Sequence, residues 1–408
     1  MLLKSKINEV YLSQKEQLNH LNTGWEREML DKIRLDTNFV SIITGIRRSG
    51  KSTLLKQLLD RRIKHYCFLN FEDPRLSGFD LNDFEKLDEI FSGEAVAPFY
   101  IFDEIQNVPQ WEKFVRNKQD NGTKIILTGS NASLLSRELG TQLTGRHLDY
   151  ELFPFSYSEF LTMKNQKPDA ASLNHYLKKG GFPEYLKFNE TNILFRLTDD
   201  IIYRDIAVRY GIKNDRLLKQ LLLYLITNSG KLFSYNKLKK LFSFGSSNTI
   251  IDYVSFFENS YLLFTVPKFS YSLKKQIYNP KKVYTVDTGL TSVLSASFSK
   301  DIGRQLENAV FLYLRQEFSE VFYFSENHEC DFVIKEKEKV VSAIQVCYEL
   351  NNDNLERETN GLLEAMSLTN LAEGTIVTLD QEDRFVKNNK KINVIPAWKF
   401  LNNKIQDI

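Results

Sequence analysis

The octapeptide at positions 45–52 reads Gly45-Ile46-Arg47-Arg48-Ser49-Gly50-Lys51-Ser52. It matches the pattern G-x-x-x-x-G-K-[ST], in which a glycine-rich turn wraps backbone N–H groups around a phosphate. The apolar run at 39–43 is predicted to be a buried strand, and the run at 53–59 is predicted to be a helix. A strand, a turn and a helix N-terminus in that order suit a bound phosphate. We therefore expect the octapeptide and Thr53 to surround the phosphates of ATP, with Lys51 on the β and γ phosphates and Ser52 on Mg²⁺.

A second apolar run, at 98–102, ends in Asp103 and Glu104. A strand that leaves the sheet at this point puts Asp103 beside the metal and Glu104 beside the attacking water. We predict that Asp103 is an outer ligand of Mg²⁺ and that Glu104 is the general base, because a carboxylate can orient and deprotonate water. Solvated acids also follow many strands. The pairing with the loop at 45–52 is what favours the catalytic interpretation.

A third strand pattern, at 124–129, is followed by Ser130 and Asn131. Either side chain is placed to contact the γ-phosphate or the water, although the same residues also suit a plain turn. Arg146 follows closely and is predicted to reach the γ-phosphate in the same or a neighbouring subunit, a surface arginine being the alternative. These strands alternate with helical stretches, which predicts a parallel sheet with its ligands at the carboxyl ends of the strands.

Length and composition place few limits on function. The chain has 408 residues, 42% hydrophobic and 26% charged, which fits about two to four globular domains. A net charge of +2 supplies no argument for nucleic-acid binding. The three cysteines are scattered, so we expect neither a disulfide framework nor a metal site built on them, and a reducing cytoplasm fits. No apolar stretch approaches the roughly 20 residues that a membrane span needs.

The patterns divide the chain into five segments. We predict a helical lead-in at 1–35, a P-loop ATPase core at 36–155, a helical lid at 156–212, a winged-helix domain at 213–295 and a nuclease-like domain at 296–408.

Residues 213–290 show three helical patterns followed by two strand patterns, an order typical of a winged helix. The hairpin interleaves aromatic residues with five lysines, Lys268, Lys274, Lys275, Lys281 and Lys282. Such a mixture suits phosphate contact and base stacking, so DNA is one predicted partner. The third helix, at 248–258, has two acids and no lysine or arginine, whereas a base-reading helix usually offers Arg, Lys, Asn or Gln. A protein partner is therefore the alternative.

The last segment carries a constellation of polar residues. Glu307 lies on a helical pattern and Asp331 on a strand pattern, and Gln345 and Cys347 lie on the next strand. This is the layout of metal-dependent restriction-type nucleases, in which carboxylates bind Mg²⁺ and a lysine assists the attacking water. Glutamine can replace an acid, but cysteine supplies no cationic amine; Glu349 is placed to compensate from the strand end. We expect an inactive scaffold or binding domain, with an active nuclease as the alternative.

From end to end the chain resembles the prokaryotic ATPases of the AAA+ superfamily that join a P-loop ATPase to a C-terminal domain of unknown function, close to the archaeal-type ATPases of the signal-transducing class. The resemblance rests on residues 45–53, 102–106, 127–131, 145–146, 180–184, 203–205, 306–308 and 330–332. It implies ATP binding, a winged helix and a nuclease-like C-terminal fold, but no settled substrate. Gln345 and Cys347 depart from the Glu-x-Lys of many members.

The expected fold class is thus α/β, a P-loop NTPase parallel sheet with a helical lid, followed by a winged helix and an α/β restriction-endonuclease-like domain. The expected function is an ATP-driven switch that hydrolyses ATP slowly and acts on a DNA or protein partner, with a homo-oligomer as one assembly. Two alternatives remain open, an ATP-regulated Mg²⁺ nuclease and a non-catalytic, nucleotide-dependent interaction module.

Overall fold

The computed structural model describes residues 1–93, 98–132, 145–295 and 301–402. The chain forms two compact units, Met1–Phe153 and Pro154–Ile408. The boundary between them falls beside the end predicted for the ATPase core. None of the helices in the described ranges combines the length and the apolar character that a membrane span requires.

A five-stranded sheet forms the centre of the N-terminal unit, in the order β2-β3-β4-β1-β5. Its strands are β1 Val40–Thr44, β2 Tyr66–Asn70, β3 Phe99–Asp103, β4 Ile125–Gly129 and β5 His147–Glu151. Every neighbouring pair runs parallel. The predicted α/β fold with a parallel sheet is confirmed for this unit.

Helices cover both faces of this sheet because its strands are apolar on both sides. The helices are α1 Lys4–His20, α2 Met29–Lys32, α3 Lys51–Arg61, α4 Asp83–Phe91 and α5 Trp111–Asp120. Successive strand side chains alternate between two apolar clusters, so that Ile42 and Phe102 pack on one face and Ile43 and Ile101 on the other. Helix α1 contributes Ile7, Val10 and Tyr11 to the first cluster. The lead-in predicted at 1–35 is therefore part of the core of this unit.

Two sheets organise the C-terminal unit. A three-stranded antiparallel sheet has the order β6-β8-β7, with β6 Leu232–Phe233, β7 Leu263–Val266 and β8 Lys281–Thr285. A six-stranded mixed sheet has the order β13-β14-β12-β11-β10-β9, with β9 Glu320–Ser325, β10 Glu329–Glu336, β11 Lys339–Val346, β12 Glu373–Thr378, β13 Asp383–Lys387 and β14 Lys390–Pro396. Strands β9 and β10 form an antiparallel pair.

The helices of this unit precede, separate and cover the two sheets. They are α6 Tyr157–Lys164, α7 Ala170–Lys179, α8 Pro183–Phe188, α9 Asn192–Asp200, a π-helical segment Ile201–Val208, α10 Asp215–Thr227, α11 Tyr235–Leu241, α12 Ser247–Asn259, α13 Leu273–Tyr278, α14 Thr288–Leu294, α15 Ile302–Glu317, α16 Leu355–Leu368 and α17 Ala397–Phe400. The short helix α13 lies between β7 and β8, where the sequence suggested a plain hairpin loop.

The double glycine at 180–181 marks a tight joint inside this unit. The N–H of Gly181 donates a hydrogen bond to Oδ2 of Asp287 at 2.5 Å. A Cβ atom on Gly181 would lie 2.1 Å from the carbonyl oxygen of Phe155, and one on Gly180 would lie 2.1 Å from Oδ1 of Asp287. Only glycine fits at either position, so this double glycine is a packing feature of the fold.

Candidate functional site

The loop at 45–52 closes around the ammonium group of Lys51. Nζ of this side chain, which is only 6% exposed, donates hydrogen bonds to the carbonyl oxygens of Gly45 at 2.9 Å and Ile46 at 3.1 Å. The loop bends through left-handed conformations at Arg48 and Gly50, with φ of 63° and 99°. Gly45 passes so close to the residue after β5 that a Cβ atom would lie 2.1 Å from the carbonyl oxygen of Leu152. The loop therefore holds a fixed cation that can exchange carbonyl oxygens for phosphate oxygens.

Asp103 ends β3 directly beside the loop. Its carboxylate is buried and accepts hydrogen bonds from three side chains, Ser52 Oγ at 3.1 Å, Asn70 Nδ2 at 3.2 Å and Thr128 Oγ1. Burial, and then the charge of Glu104, raise the pKa of Asp103 to about 6. A bound cation would reverse this effect by favouring the ionised form.

Glu104 holds a strained backbone position at the edge of the sheet. Its φ of 52° is left-handed, which is uncommon for a residue other than glycine and is often found at functional sites. Oε2 accepts hydrogen bonds from the N–H and hydroxyl of Ser130, at 3.2 and 3.1 Å, and from Gln106, while Oε1 lies 4.0 Å from Nζ of Lys51. Burial raises its pKa, but the charges of Lys51 and Arg47 and these hydrogen bonds outweigh that effect, so the net pKa is lowered. The carboxylate is ionised at neutral pH.

Most of the predicted site residues meet at one edge of the sheet, because parallel strands end on the same side. They are the octapeptide at 45–52 and, from the ends of β3 and β4, Asp103, Glu104, Ser130 and Asn131. Ser130 contacts Glu104, and Asn131 is buried at 1% exposure. Ser49 is fully buried, and its hydroxyl has no hydrogen-bond partner among the described residues. Such a buried polar atom fits a loop that receives a polar ligand.

Arg146 lies at the opposite edge of the sheet. Its carbonyl oxygen pairs with the N–H of Val40, where β1 begins, and its guanidinium pairs with Asp120 at 2.8 Å. The length of a five-residue strand, about 15 Å, separates this edge from the loop. The prediction that Arg146 reaches the γ-phosphate within its own subunit is therefore wrong, because β5 starts where β1 starts. A contact with a neighbouring subunit remains a prediction.

Several contributing residues escaped the sequence patterns. Arg27, 4% exposed, donates hydrogen bonds to the carbonyl oxygens of Ser49 at 2.6 Å and Phe153 at 2.7 Å. Asn70 and Thr128 supply hydrogen bonds to Asp103. Asn70 and Thr128 could have been predicted, because they lie at the ends of β2 and β4, where ligands bind in parallel sheets. No pattern in the sequence around Arg27 predicts its role.

The pair of Ser52 and Asp103 fits a magnesium ion. A hydroxyl and a carboxylate offer the hard oxygen ligands that Mg²⁺ prefers, and this ion usually keeps several waters and phosphate oxygens as its other ligands. Within the described ranges, no group of three His, Cys, Asp or Glu side chains is arranged to hold a metal ion. Ser52 and Asp103 are the side chains that would hold such an ion.

Two relatives match most of the chain. An uncharacterized protein of Methanocaldococcus jannaschii is 34% identical over 432 residues, which covers 98% of this chain and 97% of the relative. An uncharacterized protein of Haemophilus influenzae is 32% identical over 349 residues, covering 80% and 86%. The chain belongs to the family of these two proteins. Residues 37–161 match the AAA domain family, and residues 170–301 match a domain of unknown function. With its loop, its strand order and this match, the N-terminal unit is a P-loop ATPase domain of the AAA type.

Solved structures resemble this AAA-type chain in part. A Walker-type ATPase of Pyrococcus abyssi is 15% identical with a TM-score of 0.42, over 66% of this chain and 95% of that one. AMPPCP-bound DnaA from Aquifex aeolicus is 14% identical with a TM-score of 0.26, over 61% and 88%.

The C-terminal unit of this AAA-type protein holds a second polar cluster. Nζ of Lys282 lies 2.8 Å from Oδ1 of Asp331, 3.0 Å from Oε1 of Glu307 and 2.7 Å from Oε1 of Glu329. Lys282 is 2% exposed. The prediction that it contacts DNA is therefore wrong, because β8 turns this side chain into the protein, whereas the neighbouring Lys281 is only half-buried. Lysines at adjacent strand positions face opposite sides.

The other residues of the nuclease hypothesis lie around this cluster in different roles. Gln345 accepts a hydrogen bond from the N–H of Asp331 at 3.2 Å and donates one to Glu358 at 2.7 Å. Cys347 packs in an apolar cluster, and burial raises the pKa of its thiol to about 12. Glu349 is exposed, because β11 ends at Val346 and its alternation stops there. The compensating role predicted for Glu349 is therefore wrong, and Glu358 of α16 is the acid that sequence reasoning missed.

The four remaining lysines of the predicted wing differ in accessibility. Lys268 pairs with Glu326 at 2.9 Å, and Lys281 lies 5.8 Å from the ring centre of Tyr235. Lys274 and Lys275 are exposed on α13, which has no buried residue. These two lysines are the part of the wing best placed to meet a partner.

Proposed function

We propose that the protein is an ATP-driven switch that hydrolyses ATP slowly and transmits its nucleotide state to a partner. The observation that carries the proposal is the convergence of Lys51, Asp103 and Glu104 at one edge of the parallel sheet, with Nζ of Lys51 4.0 Å from Oε1 of Glu104. A fixed cation, a metal-binding carboxylate and an ionised base are the groups that transfer of a phosphoryl group to water requires.

In this proposal the loop at 45–52 binds the phosphates through its N–H groups, and Lys51 moves from the carbonyl oxygens of Gly45 and Ile46 to the β and γ phosphates. Ser52 and Asp103 hold Mg²⁺, which neutralises phosphate charge when bound. Glu104 orients a water molecule and takes its proton as the oxygen attacks the γ-phosphorus and the bond to the β-phosphate oxygen breaks. Ser130 and Gln106 hold the carboxylate of Glu104 for this step.

Slow turnover by a single subunit follows from the position of Arg146. An arginine on the γ-phosphate offsets charge in the transition state and accelerates hydrolysis by about 10³–10⁵. Because Arg146 lies at the far edge of its own sheet, it can serve only the site of a neighbouring subunit. We therefore propose a homo-oligomer as the faster form.

The partner is proposed to be DNA or a protein that meets the segment between β7 and β8. Over 215–285 the order is helix, strand, two helices, strand, short helix and strand, and the two helices before β7 with the antiparallel pair of β7 and β8 support a winged helix. Lys274 and Lys275 with exposed Tyr271 and Tyr278 support phosphate contact and stacking. The exposed aliphatic residues Leu273 and Ile277 on the same segment favour a protein partner instead.

Two substitutions test the nucleotide site. Lys51→Ala removes the cation that binds the phosphates, so we expect loss of ATP binding in a titration with a fluorescent ATP analogue. Glu104→Gln keeps an acceptor for Ser130 but removes the base, so we expect ATP binding to persist while turnover falls by about 10²–10⁴. Hydrolysis by Lys51→Ala at the wild-type rate would show that the site lies elsewhere. A pull-down with ATP held by the Glu104→Gln protein then searches for the partner.

A further inference from the structure

Lys282 is a buried lysine whose ammonium group lies among three carboxylates. Its Nζ lies 3.0, 2.7 and 2.8 Å from one oxygen each of Glu307, Glu329 and Asp331. An ammonium group has three donors and no acceptor. Two of these donors are used in hydrogen bonds to Glu307 and Asp331.

Two of these carboxylates also accept a hydrogen bond from a further group. The hydroxyl of Tyr284 donates a hydrogen bond to Oε1 of Glu307 at 2.6 Å. The N–H of Val346 donates one to Oδ2 of Asp331 at 2.9 Å. Glu307 and Asp331 are thus each fixed in position by a second donor, as the ligands of a metal ion usually are.

Position and charge make the ammonium group equivalent to a bound cation. It lies between Glu307 and Asp331, the two acids that a metal-dependent nuclease would place on Mg²⁺. Burial lowers the pKa of Lys282, but the charges of Asp331, Glu307 and Glu329 outweigh that effect and hold its pKa well above the ordinary value. The cation is therefore permanent at any physiological pH.

We propose that the ammonium group of Lys282 takes the place of a metal ion in the C-terminal unit. It offsets part of the negative charge of Glu307 and Asp331 from within the chain and ties β8 to α15 and β10. The proposal is independent of the ATPase cycle.

The proposal predicts that removing the ammonium group creates a site for a divalent cation. Lys282→Met keeps most of the apolar stem of the side chain and leaves Glu307, Glu329 and Asp331 without a counter-ion. Lys281→Met is the matched control, since it removes the neighbouring half-buried lysine from the same strand. Both proteins retain the same P-loop, so metal bound there cancels in the comparison.

We expect nucleotide-free Lys282→Met to bind one more Mn²⁺ per chain than Lys281→Met or the wild type in a titration followed by electron paramagnetic resonance. Its melting temperature should fall without metal and recover with Mn²⁺, whereas the other two proteins should not respond. In the double variant Lys282→Met/Asp331→Asn, the additional Mn²⁺ should be lost, because one ligand is gone.

Three results would overturn the proposal. The first is a Lys282→Met protein that folds but binds no additional Mn²⁺. The second is a Lys282→Met protein that neither folds alone nor is rescued by Mn²⁺ during purification. The third is wild-type protein that binds Mn²⁺ and cleaves DNA or RNA in a manner abolished by Asp331→Asn, since the ammonium group would then share its position with a metal ion.

Discussion

The guanidinium group of Arg27 donates a hydrogen bond to the carbonyl oxygen of Ser49 at 2.6 Å, inside the nucleotide-binding loop. Its other terminal nitrogen donates to the carbonyl oxygen of Phe153 at 2.7 Å, just beyond β5. The segment before the sheet is also held by Gln57 of α3, which donates to the carbonyl oxygens of Thr23 and Trp25 at 2.7 Å each. Arg27 thus connects the loop at 45–52 to the segment before the sheet and to the residues after β5, and its hydrogen bonds stabilise the conformation of the loop.

Replacing Arg27 with methionine should weaken ATP binding, although Arg27 is not expected to contact the phosphates itself. Two buried carbonyl oxygens lose a charged donor, which costs about 1.5–3 kcal/mol for such a hydrogen bond. We expect the Kd for MgATP to rise about tenfold, which corresponds to about 1.4 kcal/mol. The free energy of unfolding should fall by about 1.5–3 kcal/mol. Isothermal titration and urea denaturation measure the two effects. Arg34→Met, at an arginine whose side chain is 62% exposed, is the control and should change neither. A lower stability with unchanged Kd would assign Arg27 to the fold alone.

Arg146→Ala should lower ATP hydrolysis only where subunits associate. If the arginine serves a neighbour, the wild-type rate per subunit rises with protein concentration and the variant loses this rise while keeping its affinity for ATP. Steady-state hydrolysis measured across protein concentrations, with light scattering for the oligomeric state, tests this. Arg116→Ala is the control, since this exposed arginine also lies near Asp120, at 4.0 Å. A rate per subunit that is independent of concentration and unaffected by Arg146→Ala would contradict the proposal.

The buried Asp287 should make stability depend on pH in a defined direction. Burial raises its pKa to about 6 from the ordinary 3.8, although the N–H groups of Gly181 and Leu290 lower it. The folded protein therefore holds the proton more tightly than the unfolded chain. The stabilisation is complete below about pH 4 and is lost as the pH rises to about 6.

Asp287→Asn removes this titration. Relative to the wild type, the free energy of unfolding of the variant should increase by about 2–3 kcal/mol between pH 4 and pH 7. The variant also loses a second acceptor oxygen. This loss lowers the free energy of unfolding equally at every pH, so it does not affect the change between pH 4 and pH 7. Urea denaturation of both proteins at several pH values measures the difference. If the free energies of unfolding of the two proteins change with pH in parallel, Asp287 titrates normally in the folded protein.

The double variant Lys274→Ala/Lys275→Ala should weaken binding to DNA of any sequence. Phosphate contacts carry no sequence information, and their loss should reduce the slope of log K against log salt by about 2. Fluorescence anisotropy with unrelated duplexes at several salt concentrations measures this. Lys167→Ala/Lys213→Ala removes two exposed lysines from outside the segment between β7 and β8 and should have little effect. If the affinity for DNA is the same in the double variant and the wild type, or if the wild type does not bind DNA, the protein partner would be favoured.

Much of the nucleotide site could be predicted because its signals are local. The spacing of Gly45, Gly50 and Lys51 specifies a loop at a helix N-terminus, and the acids at 103–104 follow an apolar run directly. The strands of the parallel sheet were readable for the same reason, since periodic apolar patterns report secondary structure. Where the prediction went wrong, at Arg146, Glu349 and Lys282, the question was which way a residue faces or at which edge of a sheet it lies.

The sequence by itself determined the P-loop, the carboxylates at the end of β3 and the parallel sheet that brings them together, because short-range spacing and strand periodicity encode these features. Only the tertiary structure decided that Arg27 supports the loop, that Arg146 lies at the opposite edge and that Lys282 pairs with Glu307 and Asp331. These contacts join residues far apart in the chain. They depend on strand register and on which strands lie side by side, and no local pattern contains that information.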